Sequence, residues 1–232
     1  MTRLSFLPLG ADKGISTLAA ILAAVLAVMS RGIVLLASLA TLSIQALWAA
    51  DVQTDFGLDD APAGDYLLDK THGYITFSYL HQGYSRPWLR FRDIDSTLTI
   101  DANDITNSAL EVRINAASID SGVDIFDEHL RGEQFFNVAK HPEIKFVASS
   151  IAVEGEQLSI SGELTMLETT KAVTLQGVFN KGGLHFRTKQ PMLGFSAKLT
   201  LLRSEWGLGK YAPVVGDEVD VLIEVEYVQS AS

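Results

Sequence analysis

The sequence predicts an all-β domain, an antiparallel barrel or sandwich, in which one short helical segment interrupts the strands. Two observations carry this prediction. From about residue 66 onward, apolar and polar residues alternate in many short runs, which is the pattern of strands with one buried face. Short turns join these runs, and no second helical periodicity of any length appears. Such a chain favours a closed or stacked antiparallel sheet, which also limits exposed strand edges.

The strands follow from the alternation, and residues of one parity are expected to face the interior. Turns are predicted at 81–90, at 101–104, at 154–155 and at 180–183, where Asn-Lys-Gly-Gly predicts a hairpin. A small barrel can either fill its interior with side chains or hold one small ligand, and the periodicity leaves both outcomes open. The predicted inward set is Ile75, Phe77, Tyr79, Leu98, Ile100, Val112, Ile114, Phe146, Leu164, Val173, Leu175, Phe195 and Val221.

The irregular segment Ser118–Phe146 predicts a short helical plug inserted between two strands. Asp124 can accept hydrogen bonds from the first free N–H groups of a helix. Phe126 and Leu130 are four residues apart and therefore share one helical face. We expect the apolar pair that follows the helix to anchor the plug to the barrel: Phe135 and Phe136.

The first 50 residues have the composition of a leader. If translation starts at Met29, Arg31 precedes the apolar run Ile33–Ile44 and cleavage falls near Ala50, which is the layout of an export signal. The leader is also long and apolar enough to be an uncleaved membrane anchor. Either interpretation places the rest of the chain outside the cytoplasm.

Residues 51–64 are rich in Asp and contain Pro and Gly, which predicts a mobile linker before a folded domain at 65–230. The chain has a formal net charge of −10, which argues against binding to nucleic acid or to anionic lipid head groups. It contains no cysteine, which excludes a thiol nucleophile, a disulfide and a Cys-type zinc site.

Five motifs, in order, resemble the YceI-like family, the lipocalin-like polyisoprenoid-binding proteins of the bacterial periplasm. The resemblance runs from Tyr66 to Val228. The chain departs from the family pattern at Glu168 and Ala172, where Gly and Pro are usual, and at Trp206, where Phe is common. The motifs are Tyr66-x-Leu68-Asp69-x-x-His72-x-x-Ile75-x-Phe77-x-x-x-His81; Ser118-Ile119-Asp120-Ser121-Gly122 with Asp127-x-His129-Leu130-Arg131, Phe135-Phe136-Asn137 and His141-Pro142-x-Ile144-x-Phe146; Gly162-x-Leu164-Thr165; Thr170-Lys171-x-Val173-x-Leu175; and Phe195-x-Ala197 through Arg203-Ser204-x-Trp206-Gly207 to Val215-Gly216-Asp217-Glu218-Val219.

The resemblance implies an eight-stranded antiparallel barrel whose apolar lumen holds an isoprenoid lipid, a quinone or a similar amphiphile. The chain would then be a periplasmic binding protein for storage or transport, with no cofactor other than this ligand. The inward set would contact the ligand's chain. A second set, at the plug and the barrel mouth, would contact its head or anchor the plug: His81, Asp127, His129, Arg131, Phe135 and Phe136.

Two other classes of function stay open. An enzyme could act on such a lipid inside the barrel, although the chain has no Gly-x-Ser-x-Gly elbow and no Gly-rich phosphate loop. A purely structural partner protein would have a filled lumen. The sequence also leaves open a homodimer and a transient contact with a membrane.

Four histidines could supply nitrogen ligands to a metal, with Asp127 as an oxygen donor. None has a compact metal-binding spacing, so no metal site is predicted and structural hydrogen bonds are the favoured role. Asp127 and Arg131 are four residues apart, which predicts a surface ion pair on the helix. The histidines concerned are His72, His81, His129 and His141.

Overall fold

A computed structural model of the protein describes residues 55–230, so the predicted leader and the start of the predicted linker lie outside the described part. Within these residues no helix is long and apolar enough to cross a membrane. The one α-helix of this part is α1, Asp124–Arg131. The strands are β1 Gly64–His81, β2 Trp88–Phe91, β3 Ile94–Ile100, β4 Ala109–Asn115, β5 Ile119–Asp120, β6 Glu143–Glu154, β7 Gln157–Met166, β8 Thr169–Leu184, β9 Pro191–Leu202 and β10 Val215–Gln229.

Eight of the strands form a closed antiparallel barrel. They are paired in the order β1, β3, β4, β6, β7, β8, β9 and β10, and β10 pairs again with β1 to close the ring. The two short strands β2 and β5 are added beside β1. The predicted eight-stranded lipocalin-like barrel with an inserted helix is therefore confirmed.

Strand β1 serves two neighbours in succession. Its first residues, 64–67, pair with β3, whereas Ile75–Ser78 pair with β2. The register against β10 shifts between Leu68 and Gly73, and a Cβ on Gly73 would lie 2.9 Å from the Leu68 side chain. A bulge of this kind bends a strand. It lets β1 leave β3 and continue along β2, where β5 and the plug complete the wall.

The strand directions sort the connections into two ends of the barrel. We call the end that carries α1 the mouth and the opposite end the base. The connections at the mouth are 82–87, 121–142, 167–168 and 203–214, and those at the base are 101–108, 155–156 and 185–190, together with the N-terminal residues 55–63.

The predicted hairpin at 180–183 is wrong. Strand β8 continues through these residues to Leu184, and the chain turns at 185–190 instead. The register between β8 and β9 shifts between Phe179 and Lys181, so the Gly-containing run is taken up as an irregularity inside a continuous strand.

The described part of the predicted linker packs against the barrel. The Phe56 N–H donates to the Gly182 carbonyl at 3.0 Å, and the Phe56 ring occupies the space that a Cβ on Gly182 would need. Leu58 is only 7% exposed and reaches the barrel interior at the base. The folded domain therefore begins before the predicted boundary at residue 65.

Helix α1 forms where the sequence predicts it, but Asp124 is its first residue and not its cap. The residue before it, Val123, provides a backbone cap, since its carbonyl accepts from the N–H groups of Phe126 at 2.9 Å and Asp127 at 3.0 Å. Leu130 is buried and Phe126 is partly buried on the same apolar face. The helix thus lies at the mouth with its apolar side towards the cavity.

We expect Phe136→Ala to destabilise the fold by about 3–5 kcal/mol, because truncation of a buried Phe loses transfer energy and leaves a void. Phe136 is 9% exposed, and its ring meets Phe91 edge-on with 5.7 Å between centroids. Chemical denaturation measures the loss. Phe186→Ala is the matched control, since Phe186 is 65% exposed. Equal stability of the two variants would contradict the predicted anchoring.

Candidate functional site

A cavity of about 700 Å³ runs through the barrel. It extends from Leu58 at the base to Tyr211 at the mouth, and all thirteen residues of the predicted inward set line it. Its volume lies in the range of roughly 300–1,000 Å³ that is typical of small-molecule sites. The interior is therefore hollow and not filled by its own side chains. That the lining residues bind a ligand stays a prediction.

The apolar lining follows from strand geometry, since successive side chains point to opposite faces. Along β8, for example, Val173 and Leu175 face the cavity whereas Thr174 and Gln176 are exposed. Gly162 of β7 has a packing role, because a Cβ there would come within 2.6 Å of the Phe146 ring. That glycine lets a large aromatic side chain lie against the wall without filling the lumen.

The one polar contact between side chains deep in the described cavity wall is internally satisfied. Ser96 Oγ donates to the Glu111 carbonyl at 2.9 Å, so the Tyr227 hydroxyl, 2.7 Å away, donates to Ser96. Burial raises the pKa of Tyr227 to about 12, although the hydrogen bond with Ser96 acts in the opposite direction. The deep wall therefore carries no charge at ordinary pH and favours an apolar chain.

At the mouth, the lining turns aromatic and basic. The His129 ring lies 4.9 Å from Phe135, and Phe135 lies 6.4 Å from Tyr211. Lys210 Nζ lies 5.0 Å from the centre of the Tyr211 ring. His81 also lines this end of the cavity, and its ring is 6.5 Å from Tyr79.

Arg203 holds the mouth loop that follows β9. Its Nε donates to the Gly216 carbonyl at 2.8 Å, and its Nη atoms donate to the carbonyls of Lys210 and Val215, each at 2.9 Å. Burial lowers the pKa of the Arg203 guanidinium. Burial also raises the pKa of the Tyr79 hydroxyl, and the charge of Arg203 opposes that change. Arg203 thus ties the loop 203–214, which begins with a 3-10 helix at Arg203–Trp206, to the start of β10.

Four of the six predicted plug and head-group residues line the cavity: His81, His129, Phe135 and Phe136. The other two, Asp127 and Arg131, do not. Asp127 is buried, and its carboxylate accepts from the Ser121 N–H at 2.7 Å. It therefore fixes the turn before the helix.

The predicted Asp127–Arg131 ion pair is wrong, because each side chain has a different partner. Arg131 pairs with Glu128 at 2.8 Å and donates to the carbonyls of Ala117 at 2.8 Å and Ile119 at 3.0 Å. These bonds tie the helix back to β5. Sequence spacing alone could not show that a neighbouring turn would capture both groups.

Asp120 of β5 is the ionic anchor of the plug. Its carboxylate accepts from Arg90 Nε and from Arg92 Nε, each at 2.8 Å, and from the Gly122 N–H at 3.0 Å. The bond from Arg90, followed by that from Gly122, lowers the pKa of Asp120 to about 2. This interaction joins β5 to β2 and was not predicted from the sequence.

We expect Asp120→Asn to lower stability at pH 7 by about 1–3 kcal/mol, since two guanidinium groups lose an anionic partner. The folded-state pKa of Asp120, about 2, lies below its ordinary value of 3.8. The carboxylate therefore stabilises the fold above about pH 4, and this contribution is lost as the pH falls towards 2. Thermal unfolding of wild type and variant should converge over that interval. A difference that is constant with pH would contradict the assignment.

Among the described residues, one group of side chains could share a metal ion: Asp69, His72 and Glu226, whose ligand atoms lie within 4.8 Å of one another. It lies at the bulge of β1, away from the other histidines. His72 Nδ1 is 2.8 Å from Asp69, and this hydrogen bond raises the pKa of His72. Burial raises the pKa of Asp69, but hydrogen bonds from His72 and Thr71 outweigh it and the pKa is lowered. Glu226 is remote in sequence, so spacing could not reveal this group, and its internal bonds account for the arrangement without an ion.

Comparisons with known proteins match this geometry. A family model described as the YceI-like domain matches residues 66–227. The proteins named YceI from Escherichia coli O6:H1 and from Salmonella arizonae are each 33% identical to this chain over 177 residues. Each alignment covers 75% of this chain and 92% of the relative.

Solved structures share the fold. BcnA from Burkholderia cenocepacia has a TM-score of 0.62 and 21% identity, and the match covers 68% of this chain and 98% of that one. A YceI protein from Campylobacter jejuni has a TM-score of 0.59 and 22% identity, with 63% and 87% covered. A domain from Saccharophagus degradans, described as polyisoprenoid-binding and implicated in plant cell wall breakdown, has a TM-score of 0.53 and 13% identity, with 73% and 100% covered.

Proposed function

The chain belongs to the YceI-like family, and from that membership and its hollow barrel we propose that it is an exported binding protein for an isoprenoid lipid, a quinone or a similar amphiphile. The ligand's chain lies in the lumen and its polar end lies at the mouth, and the protein stores or carries the ligand. The observation that carries the proposal is the continuous apolar cavity of about 700 Å³.

The driving force is the burial of apolar surface, at about 25 cal/mol per Å². An isoprenoid of several units presents several hundred Å², so the gross gain is on the order of 10 kcal/mol before the costs of ordering are subtracted. Because the pairing of β1 with β10 already closes the barrel, the protein needs little ordering to form the site. The Saccharophagus degradans domain, described as polyisoprenoid-binding, supports the same class of ligand for this chain.

The proposal does not include catalysis. The polar groups that the structure places at the mouth, such as Arg203 and His129, are bound to the backbone or packed against aromatic rings. A bound lipid that is recovered chemically intact after prolonged incubation supports a carrier, and its turnover would identify an enzyme.

The first test is mass spectrometry of an organic extract of the purified protein, combined with lumen variants. We expect an intact isoprenoid, quinone or other amphiphile in the extract. Val173→Phe places a ring in the lumen and should weaken uptake of an isoprenoid quinone about tenfold or more, with little change in Tm, because the cavity has room for it. Leu175→Asp should reduce both binding and stability, since it buries a charge.

The matched control is Gln176→Asp, which adds the same charge on the exposed face of β8. It should bind as wild type does. The proposal fails if the folded protein carries no lipid after native extraction and takes up neither an isoprenoid quinone nor a fatty amide in solution.

Export by the leader is also part of the proposal. If translation starts at Met29 and Ile33–Ile44 is the apolar core of a signal, N-terminal sequencing of the mature protein should begin near Ala50 or Asp51. Recovery of the protein in the membrane fraction with residues 32–48 still attached would support the anchor instead.

The proposal also includes a transient contact with a membrane and a homodimer. Transient contact with a membrane is supported by apolar side chains that are exposed at the mouth, namely Tyr84, Ile125 and Val214, and cosedimentation with phosphatidylcholine vesicles measures it. The molar mass of the protein in solution, measured by light scattering, tests for the homodimer.

A further inference from the structure

The charged side chains on the cavity are of one sign. Arg203 and Lys210 line it, together with His81 and His129, whereas no Asp or Glu of the described residues does so. The whole chain contains 28 acidic residues against 18 basic ones and has a net charge of −10. The composition of the chain therefore does not explain a cavity lining whose only formally charged side chains are positive.

These groups form a connected arc around the opening. The ring contacts described above link His129 through Phe135 to Tyr211, and Lys210 lies 5.0 Å from the Tyr211 ring centre. Arg203 then donates to the Lys210 carbonyl at 2.9 Å. A polar head at the mouth would therefore lie beside this row of groups, while its chain continues into the lumen.

Arg203 and Lys210 differ in how many hydrogen-bond donors remain for a ligand. Arg203 donates to four backbone carbonyls, two in its own loop and two at the start of β10, and the charge of Asp217 acts on it. Lys210 Nζ donates to the amide oxygen of Gln134, which is neutral. An ammonium group has three donors, so Lys210 keeps hydrogens for a ligand. Its charge has no carboxylate partner within ion-pair distance among residues 55–230.

We infer that the amphiphile held by this barrel has an anionic head, a carboxylate or a phosphate monoester, which binds Lys210 at the mouth. This inference rests on the proposed function and names the ligand class more closely. A hydrogen bond between an ammonium group and an anion is about twice as strong as one between neutral groups. The Phe135 ring beside Tyr211 is partly buried, and reduced access of water strengthens such an attraction. Among the charged side chains that line the cavity, a cationic head would meet only like charges.

The test compares three probes that share one C20 isoprenoid chain and differ only in the head: geranylgeranyl phosphate, geranylgeraniol and geranylgeranylamine. Binding to the delipidated protein is measured by competition against a fluorescent fatty chain. We expect the phosphate to bind at least about tenfold more tightly than the alcohol, and the amine to bind most weakly. Raising the salt concentration should weaken the phosphate alone.

The decisive variant is Lys210→Met, which keeps a long side chain and removes the charge. It should weaken phosphate binding roughly tenfold and leave alcohol binding unchanged. Lys140→Met is the matched control, because Lys140 is an exposed cation at the same end of the barrel that pairs with Glu168 outside the cavity. It should leave both affinities unchanged. Unchanged Tm values for both variants show that the fold is intact, and Lys210→Gln provides a second variant if Met alters it.

The outcomes separate this inference from the function beneath it. If the alcohol binds as tightly as the phosphate, or if Lys210→Met weakens both equally, the barrel is a lipid carrier but the anionic head is wrong. If the amine binds most tightly, the sign of the head is wrong. If none of the three probes binds the folded protein, the proposed function itself fails.

Discussion

The pairing of β1 with β10 is the interaction on which the rest of the structure depends. It joins the start of the domain to its end, with Tyr66 opposite Gln229, and turns an open sheet into a ring. Closure removes the long strand edges that would otherwise invite pairing with other chains. It also separates an inside from an outside, so alternate side chains along each strand face either the cavity or the solvent. Beyond the bulge between Leu68 and Gly73, β1 pairs with β2 in place of β3.

The charged side chains with several hydrogen-bond partners hold the plug and the mouth loops in place. Asp120 binds two arginines, Asp127 holds a turn, and Arg131 and Arg203 donate to backbone carbonyls. Irregular segments leave backbone groups without the partners that a sheet supplies, and buried groups of this kind must be satisfied. These charged residues therefore hold the irregular segments at the mouth in place, whereas the lumen behind them is lined by apolar side chains.

The strand residues of the cavity could be predicted because a period of two leaves only two faces to choose between. Periodicity alone could not predict the hollowness, which only the family resemblance implied. It depends on barrel closure and on packing between neighbouring strands, such as that of Phe146 against Gly162. The Asn-Lys-Gly-Gly run predicts a turn from local preference, and pairing with β9 overrides it. Composition likewise indicates a linker around Phe56, whereas the backbone bridge to Gly182 and the burial of Leu58 hold that segment in place.

Both ends of the described chain lie at the base. Phe56 is bridged to Gly182 there, and the Ser230 N–H donates to the Asp65 carbonyl at 2.8 Å. The described chain therefore enters and leaves the barrel at the end opposite the mouth. A fusion partner, reporter or surface linker joined at either end of residues 55–230 is attached opposite the mouth, whereas an insertion in the loop 82–87 lies at the mouth itself. Construction of sensors or immobilised traps from this domain follows directly from that polarity.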